Sequence, residues 1–105
     1  MKRYRINIDP EALADIRAIM EWYESVQSGL GKRFLSTSVI QINSLKKNPQ
    51  MYAIRYREIR CMIVRKFPCM IHFYINDDYN SVEVLAVINT YRDSDIWKVK
   101  TDKKR

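Results

Sequence analysis

Two glycines and three prolines among 105 residues leave little material for linkers or low-complexity stretches. That scarcity argues against a collagen-like or disordered chain. Two cysteines, Cys61 and Cys69, are too few for a disulfide framework. A reducing, cytoplasmic address is therefore the default expectation. No unbroken apolar run exceeds five residues, Val84–Ile88 being the longest, which is far short of the ~20 that a membrane-spanning helix needs. The start, Met-Lys-Arg-Tyr-Arg, leads into no apolar segment of the kind that marks a secretory signal. A single histidine, His72, confines imidazole chemistry to one position. What is present is 47% hydrophobic and 30% charged, with a formal net charge of +7. This is the composition of one compact domain with a preference for an anionic partner.

Tyr4, Ile6 and Ile8 alternate with Arg5 and Asn7, which predicts a short half-buried strand. Asp9-Pro10-Glu11 reads as a helix start: an N-cap, a proline at the first helical position, an acid in the first turn. Leu13, Ile16, Ile19, Met20 and Tyr23 then fall on one helical face, and Gly29 ends the helix. A second helix is predicted from Lys32 to Lys47. Its stripe is Phe34, Leu35, Val39, Ile42 and Leu45, with Lys46 and Lys47 in the last turn, where they complement the dipole. Asn48-Pro49 closes it. Ile54–Phe67 reads as one strand broken by Pro68. Cys69–Ile75 is the next, Asn76–Asn80 a polar turn, and Ser81–Asn89 a strand apolar on both sides, hence central in the sheet. The expected fold is α+β in the order β-α-α-β-β-β: a small, mostly antiparallel sheet with an N-terminal helical hairpin on one face. The domain spans residues 1–97, and 98–105 is a basic C-terminal tail.

Charge is uneven. Residues 31–75 hold nine basic groups and one acidic, whereas residues 1–30 carry a net −1. Arg55, Arg57, Arg60, Arg65 and Lys66 crowd the strand region among Tyr52, Tyr56, Phe67 and Tyr74. Arginine and aromatic side chains on one sheet face suit phosphates and bases. They equally suit a sheet edge protected from aggregation. Cys61, Cys69 and His72 offer three metal-ligand types, but a structural zinc site wants four at tighter spacing. No metal and no cofactor are assigned.

The chain resembles the RelE/ParE superfamily of bacterial toxins from type II toxin–antitoxin pairs. The resemblance rests on Ile59-Arg60, Lys66-Phe67-Pro68 and Ile71-His72-Phe73-Tyr74-Ile75. It continues in Val84-Leu85-Ala86-Val87 followed by Arg92-Asp93 and Trp97. Asp9-Pro10-Glu11-Ala12, Trp22-Tyr23 and Gly31-Lys32-Arg33-Phe34-Leu35 are similar as well. It implies the fold read above, a cognate antitoxin, and growth arrest when the toxin is free. The family has two target classes: RelE-like members cut mRNA on the ribosome, and ParE-like members poison DNA gyrase. Ribonuclease members often place a phosphate-facing arginine where this chain has Met70, and a histidine where it has Asn89.

Cleavage through a 2′-hydroxyl needs a base, an acid and cations at the phosphorane. Arg92 and Arg60 are the candidate cations, and Tyr91, His72 or Lys66 the candidate proton carriers. Arg55, Arg57, Arg65, Lys66 and Tyr74 are the candidate contacts to nucleic acid or a protein target. The alternation of strand 69–75 places His72 on the outward face with Met70 and Tyr74. Trp22, beside the first helix's stripe, either packs at its margin or marks a contact with a second copy or the antitoxin. The absent arginine at Met70 tilts the expectation toward a gyrase-type target, with RNA cleavage and an inactive, interaction-only member as alternatives.

Overall fold

The computed structural model describes residues 3–90; Tyr91, Arg92, Trp97 and the basic tail lie outside them. The first strand, β1 (Arg5–Ile8), runs straight into α1 (Pro10–Val26). The entry is capped as the sequence predicts: Glu11 N–H donates to Asp9 Oδ1 at 2.9 Å. α2 (Leu30–Ser44) turns back along α1 after Gly29, whose φ of +88° only glycine adopts freely.

One carboxylate organises this reversal. Glu24 accepts the backbone N–H of Gly29 at 2.9 Å and of Gly31 at 3.0 Å. These bonds, the Gly29 one foremost, hold its carboxyl below its ordinary pKa. The helices approach so closely at Gly31 that a Cβ there would overlap the Met20 carbonyl oxygen. Backbone cannot retreat as a flexible side chain can. Gly31→Ala is therefore expected to lower stability by about 2 kcal/mol despite alanine's better helix propensity. Urea denaturation would check it, and an unchanged midpoint would refute the close-approach argument.

α2 begins and ends earlier than the sequence suggests. Residues 45–47 form a tight turn of i→i+3 bonds, so Lys46 and Lys47 lie beyond the last helical turn. The reason is tertiary: the Lys46 carbonyl accepts the Tyr4 N–H at 2.9 Å, tying the turn to the base of β1. A one-turn 3-10 helix (Pro49–Met51) follows.

The stretch expected as a single strand, Ile54–Phe67, is instead a hairpin. β2 (Ile54–Tyr56) and β3 (Ile59–Ile63) pair antiparallel across a turn at Arg57-Glu58, with Arg57 at φ +50°. β3 stops at Ile63, before a second turn in which Lys66 has φ +69°. β4 (Cys69–Asn76) and β5 (Ser81–Asn89) complete a five-stranded sheet of order β1-β5-β4-β3-β2. Only the β1–β5 pair is parallel. β5 is an interior strand, between β1 and β4, as its two-sided apolarity predicts.

Residues in register share a face. Met62, Ile71 and Val87 form one row, and Phe73 and Val84 another; all belong to the core beneath the helices. Phe34 sits at its centre with Tyr23 and Phe67, ring centroids 5.0–5.6 Å apart. Two polar side chains from the helices finish the sheet. Asp15 Oδ2 accepts the Val87 N–H at 3.1 Å, where β5 has run past the end of β1 and bulges at Leu85 against β4. Gln41 behaves as a piece of strand: its Nε2 donates to Ile63 O at 2.8 Å, and its Oε1 accepts Arg65 N–H at 2.6 Å. No helix among the described residues is long and apolar enough to cross a membrane.

Candidate functional site

The sheet divides the expected site residues. Arg60 stands in register with Phe73, on the helix side. Its Nη1 donates to the carbonyls of Tyr52 at 2.6 Å and Gln50 at 3.3 Å, so it braces the segment before β2. His72 stands in register with Cys61 and Ala86 on the opposite face. Arg60 and His72 therefore do not converge. Arg55, Arg57, Arg65 and Lys66 are all exposed, Arg57 and Lys66 at turn positions. Tyr74 is half-buried on the His72 face, lining a shallow polar recess with Glu58, Asp77 and Asp78.

His72 faces the side the alternation indicates, but it is not a surface residue: only 1% of it is accessible. Its Nδ1 lies 3.2 Å from Tyr56 Oη and 3.3 Å from Cys61 Sγ. Both neighbours carry a hydrogen to donate, which suits a neutral ring with Nδ1 as acceptor. Burial first, and the Arg55 charge second, push the His72 pKa down to about 4. The thiols are equally inert. Burial raises Cys61 to about 11 despite Arg55, and burial raises Cys69 to about 11 beside the Tyr23 hydroxyl. Neither is a thiolate nucleophile at neutral pH. Met70, at the expected arginine position, lies in a row with Ile63 and Ile88. Among the described residues no group of three metal-ligating side chains gathers.

A second surface was not foreseen from the sequence. Leu13, Leu35 and Val39 belong to the helical stripes expected in the core, yet they are 48%, 37% and 46% exposed. They line an open groove of about 760 Å³ between the two helices and β1. Ile6, Ile8 and Ile16 also line it, and Arg3, Arg5 and Lys46 are its charged lining among the described residues. The available signal was the width of the α2 stripe, where apolar residues at 34, 35, 39, 40, 42 and 45 cover more arc than one sheet face can bury.

A helical hairpin laid on one face of a five-stranded sheet, with β5 between β1 and β4, is a fold shared with solved type II toxin structures. The chromosomal ParDE toxin–antitoxin system of P. aeruginosa superposes with a TM-score of 0.73 at 16% identity, covering 83% of this chain and 96% of that one. A mutant of the E. coli toxin RelE in the free state gives 0.71 at 15% identity, covering 96% and 97%. The RelBE2 toxin–antitoxin complex of Mycobacterium tuberculosis gives 0.60 at 18% identity, covering 85% and 93%. At such identities the likeness is one of fold. A search of curated protein sequences found no match. The family model for the ParE toxin of the type II toxin–antitoxin system parDE matches residues 6–94. The chain belongs to that family.

Proposed function

We propose that this ParE-family toxin acts in the cytoplasm by gripping an essential protein of the DNA gyrase type, and that a cognate antitoxin keeps it silent. The observation that carries the choice of target is the state of His72. A general acid or base works best with a pKa near the operating pH. The only histidine of the chain is instead buried and neutral, with a pKa near 4. Arg60 is committed to backbone carbonyls, and Met70 offers no charge to a phosphate. These features support binding over RNA cleavage.

The exposed cations Arg55, Arg57, Arg65 and Lys66 favour a second reading, a RelE-like ribonuclease with Arg92 at the phosphate. One experiment separates them. The chain is expressed in bacteria from a tightly regulated promoter, and growth, DNA supercoiling and mRNA integrity are followed together. Growth arrest with relaxed or broken DNA and intact mRNA is expected. Arrest with cleaved, ribosome-associated mRNA that Arg92→Ala abolishes would establish the second reading, and normal growth would sink both.

A further inference from the structure

β3 runs on past its partner. β2 pairs with it only at Ile59 and Arg60, and further along Gln41 takes over at Ile63 and Arg65. The chain then reverses toward β4 through Val64–Phe67, where Phe67 N–H donates to Val64 O at 3.1 Å. Lys66 holds the third position of this turn, with φ +69°. That is the pattern of a type II turn, whose third position calls for glycine or asparagine. A lysine there strains the backbone. Packing does not offset the strain, since Lys66 is exposed. At Asn80, φ +51°, the fold uses a residue that suits the conformation. The surroundings of the turn are basic and apolar at once. Arg65 is exposed like Lys66. Ile63 is 62% exposed and Ile40, the residue before Gln41, 67%; neither lines the groove between the helices and β1. The one acid of residues 31–75, Glu58, stands at the opposite end of β3.

We propose that the β3–β4 turn and the two isoleucines beside it are the surface that grips the target, an acidic protein surface with an apolar centre; the proposal rests on the reading of the chain as a toxin that binds an essential protein. Arg65 and Lys66 meet carboxylates at the rim, and Ile40 and Ile63 are dried against apolar groups of the target, the usual division of a protein interface. Charge complementarity selects an acidic occupant, and the isoleucines select a protein. Nucleic acid also answers to cations, but a single strand needs rings on which its bases stack. Phe67, the aromatic residue of this turn, is instead buried against Tyr23 and Phe34. Phosphate contacts would leave the exposure of Ile40 and Ile63 without a use. A second copy of the chain, set turn to turn, would bring Arg65 and Lys66 against their own kind. The strain points the same way. A turn that served stability alone would carry glycine, whereas one that presents a cation at its tip keeps lysine, and strain of this sort gathers at functional sites.

The test follows growth arrest in bacteria and, with the purified full chain, inhibition of supercoiling by purified DNA gyrase. Lys66→Asn removes the charge and keeps a residue that suits φ +69°. Its melting temperature should equal or exceed that of the wild-type chain, while the concentration for half-inhibition should rise at least tenfold and arrest should be lost. Ile40→Ser combined with Ile63→Thr trims exposed groups alone and should also raise that concentration at least tenfold. Arg17→Gln, which removes an exposed cation from α1, should leave both readouts unchanged. Full potency in the Lys66 and isoleucine variants would overturn the surface and leave the target reading intact. An equal loss with Arg17→Gln would trace the effect to net charge and overturn it too, as would a Lys66→Asn chain that melts several degrees lower. Arrest without gyrase inhibition, abolished by both variants, would keep the surface and replace the target. Arrest by mRNA cleavage that Lys66→Asn abolishes and the isoleucine pair leaves untouched would give the turn to nucleic acid and overturn the proposal. A concentration-dependent dimer lost in the isoleucine variant would give it to a second copy. Normal growth with the wild-type chain would remove toxin and surface together.

Discussion

Phe34→Ala is expected to remove about 4 kcal/mol of stability. The side chain is wholly buried, so truncation loses its transfer free energy and leaves a cavity, together about 3–5 kcal/mol for phenylalanine. The tilted contact to Tyr23 at 5.6 Å and the edge contact to Phe67 at 5.4 Å place the loss in the upper part of that range, because aromatic pairs contribute beyond their area. Against a typical total of about 5–15 kcal/mol, this is a large fraction. At roughly 4–8 °C per kcal/mol for a domain of this size, the melting temperature should fall by about 20 °C. Its neighbour supplies the control. Leu35 is 37% exposed at the groove, and Leu35→Ala should shift melting by only a few degrees. Scanning calorimetry of both variants decides it: similar drops in the two would mean that residues 34 and 35 do not divide between core and groove.

The second large effect is acid sensitivity. His72 titrates near 4 in the folded chain and near 6.5 when unfolded. Between those values the unfolded chain binds the extra proton, so stability falls as pH falls. The contribution is complete above pH 6.5. About 2 kcal/mol of it is gone at pH 5 and about 3 kcal/mol at pH 4. His72→Gln keeps a polar side chain of similar reach and removes the titration. Urea midpoints at pH 7.5 and pH 5 should therefore drop more for the wild-type chain than for the variant, by the equivalent of about 2 kcal/mol. Glu24 does not confound the comparison, since its depressed carboxyl acts at lower pH and is common to both proteins. Parallel drops would show that the imidazole titrates in the fold as it does unfolded, and would reopen its candidacy as a proton carrier.

The sequence was informative wherever punctuation met periodicity. Asp9-Pro10 starts α1, Gly29 turns the hairpin, and the alternation of 81–89 marks an interior strand, each by a local rule that packing then obeys. It misled where the fold overrode local chemistry. The β2–β3 turn carries Arg57 and Glu58 in place of the glycine or asparagine that hairpins prefer, so nothing between Ile54 and Phe67 advertised a reversal. The burial of His72 was hidden for a different reason. Alternation assigns a side chain to a face but says nothing of what covers that face. The groove shows the same limit: a helical stripe gives the amount of apolar surface, not who buries it. The role proposed for Arg92 rests on the resemblance, and that of Tyr91 on the proton carrier that RNA cleavage needs.

Gln41 has a consequence for the free toxin. By standing in for a strand at Ile63 and Arg65, it covers the end of β3 that β2 does not reach, although Ile63 itself is 62% exposed. Among the described residues no side chain does the same for β1 at Ile6 and Ile8. The free toxin therefore guards the end of β3 with a side chain and leaves the margin of β1 at Ile6 and Ile8 open among the described residues. The like charges of Arg3, Arg5 and Lys46 beside that margin oppose the pairing of two copies through it.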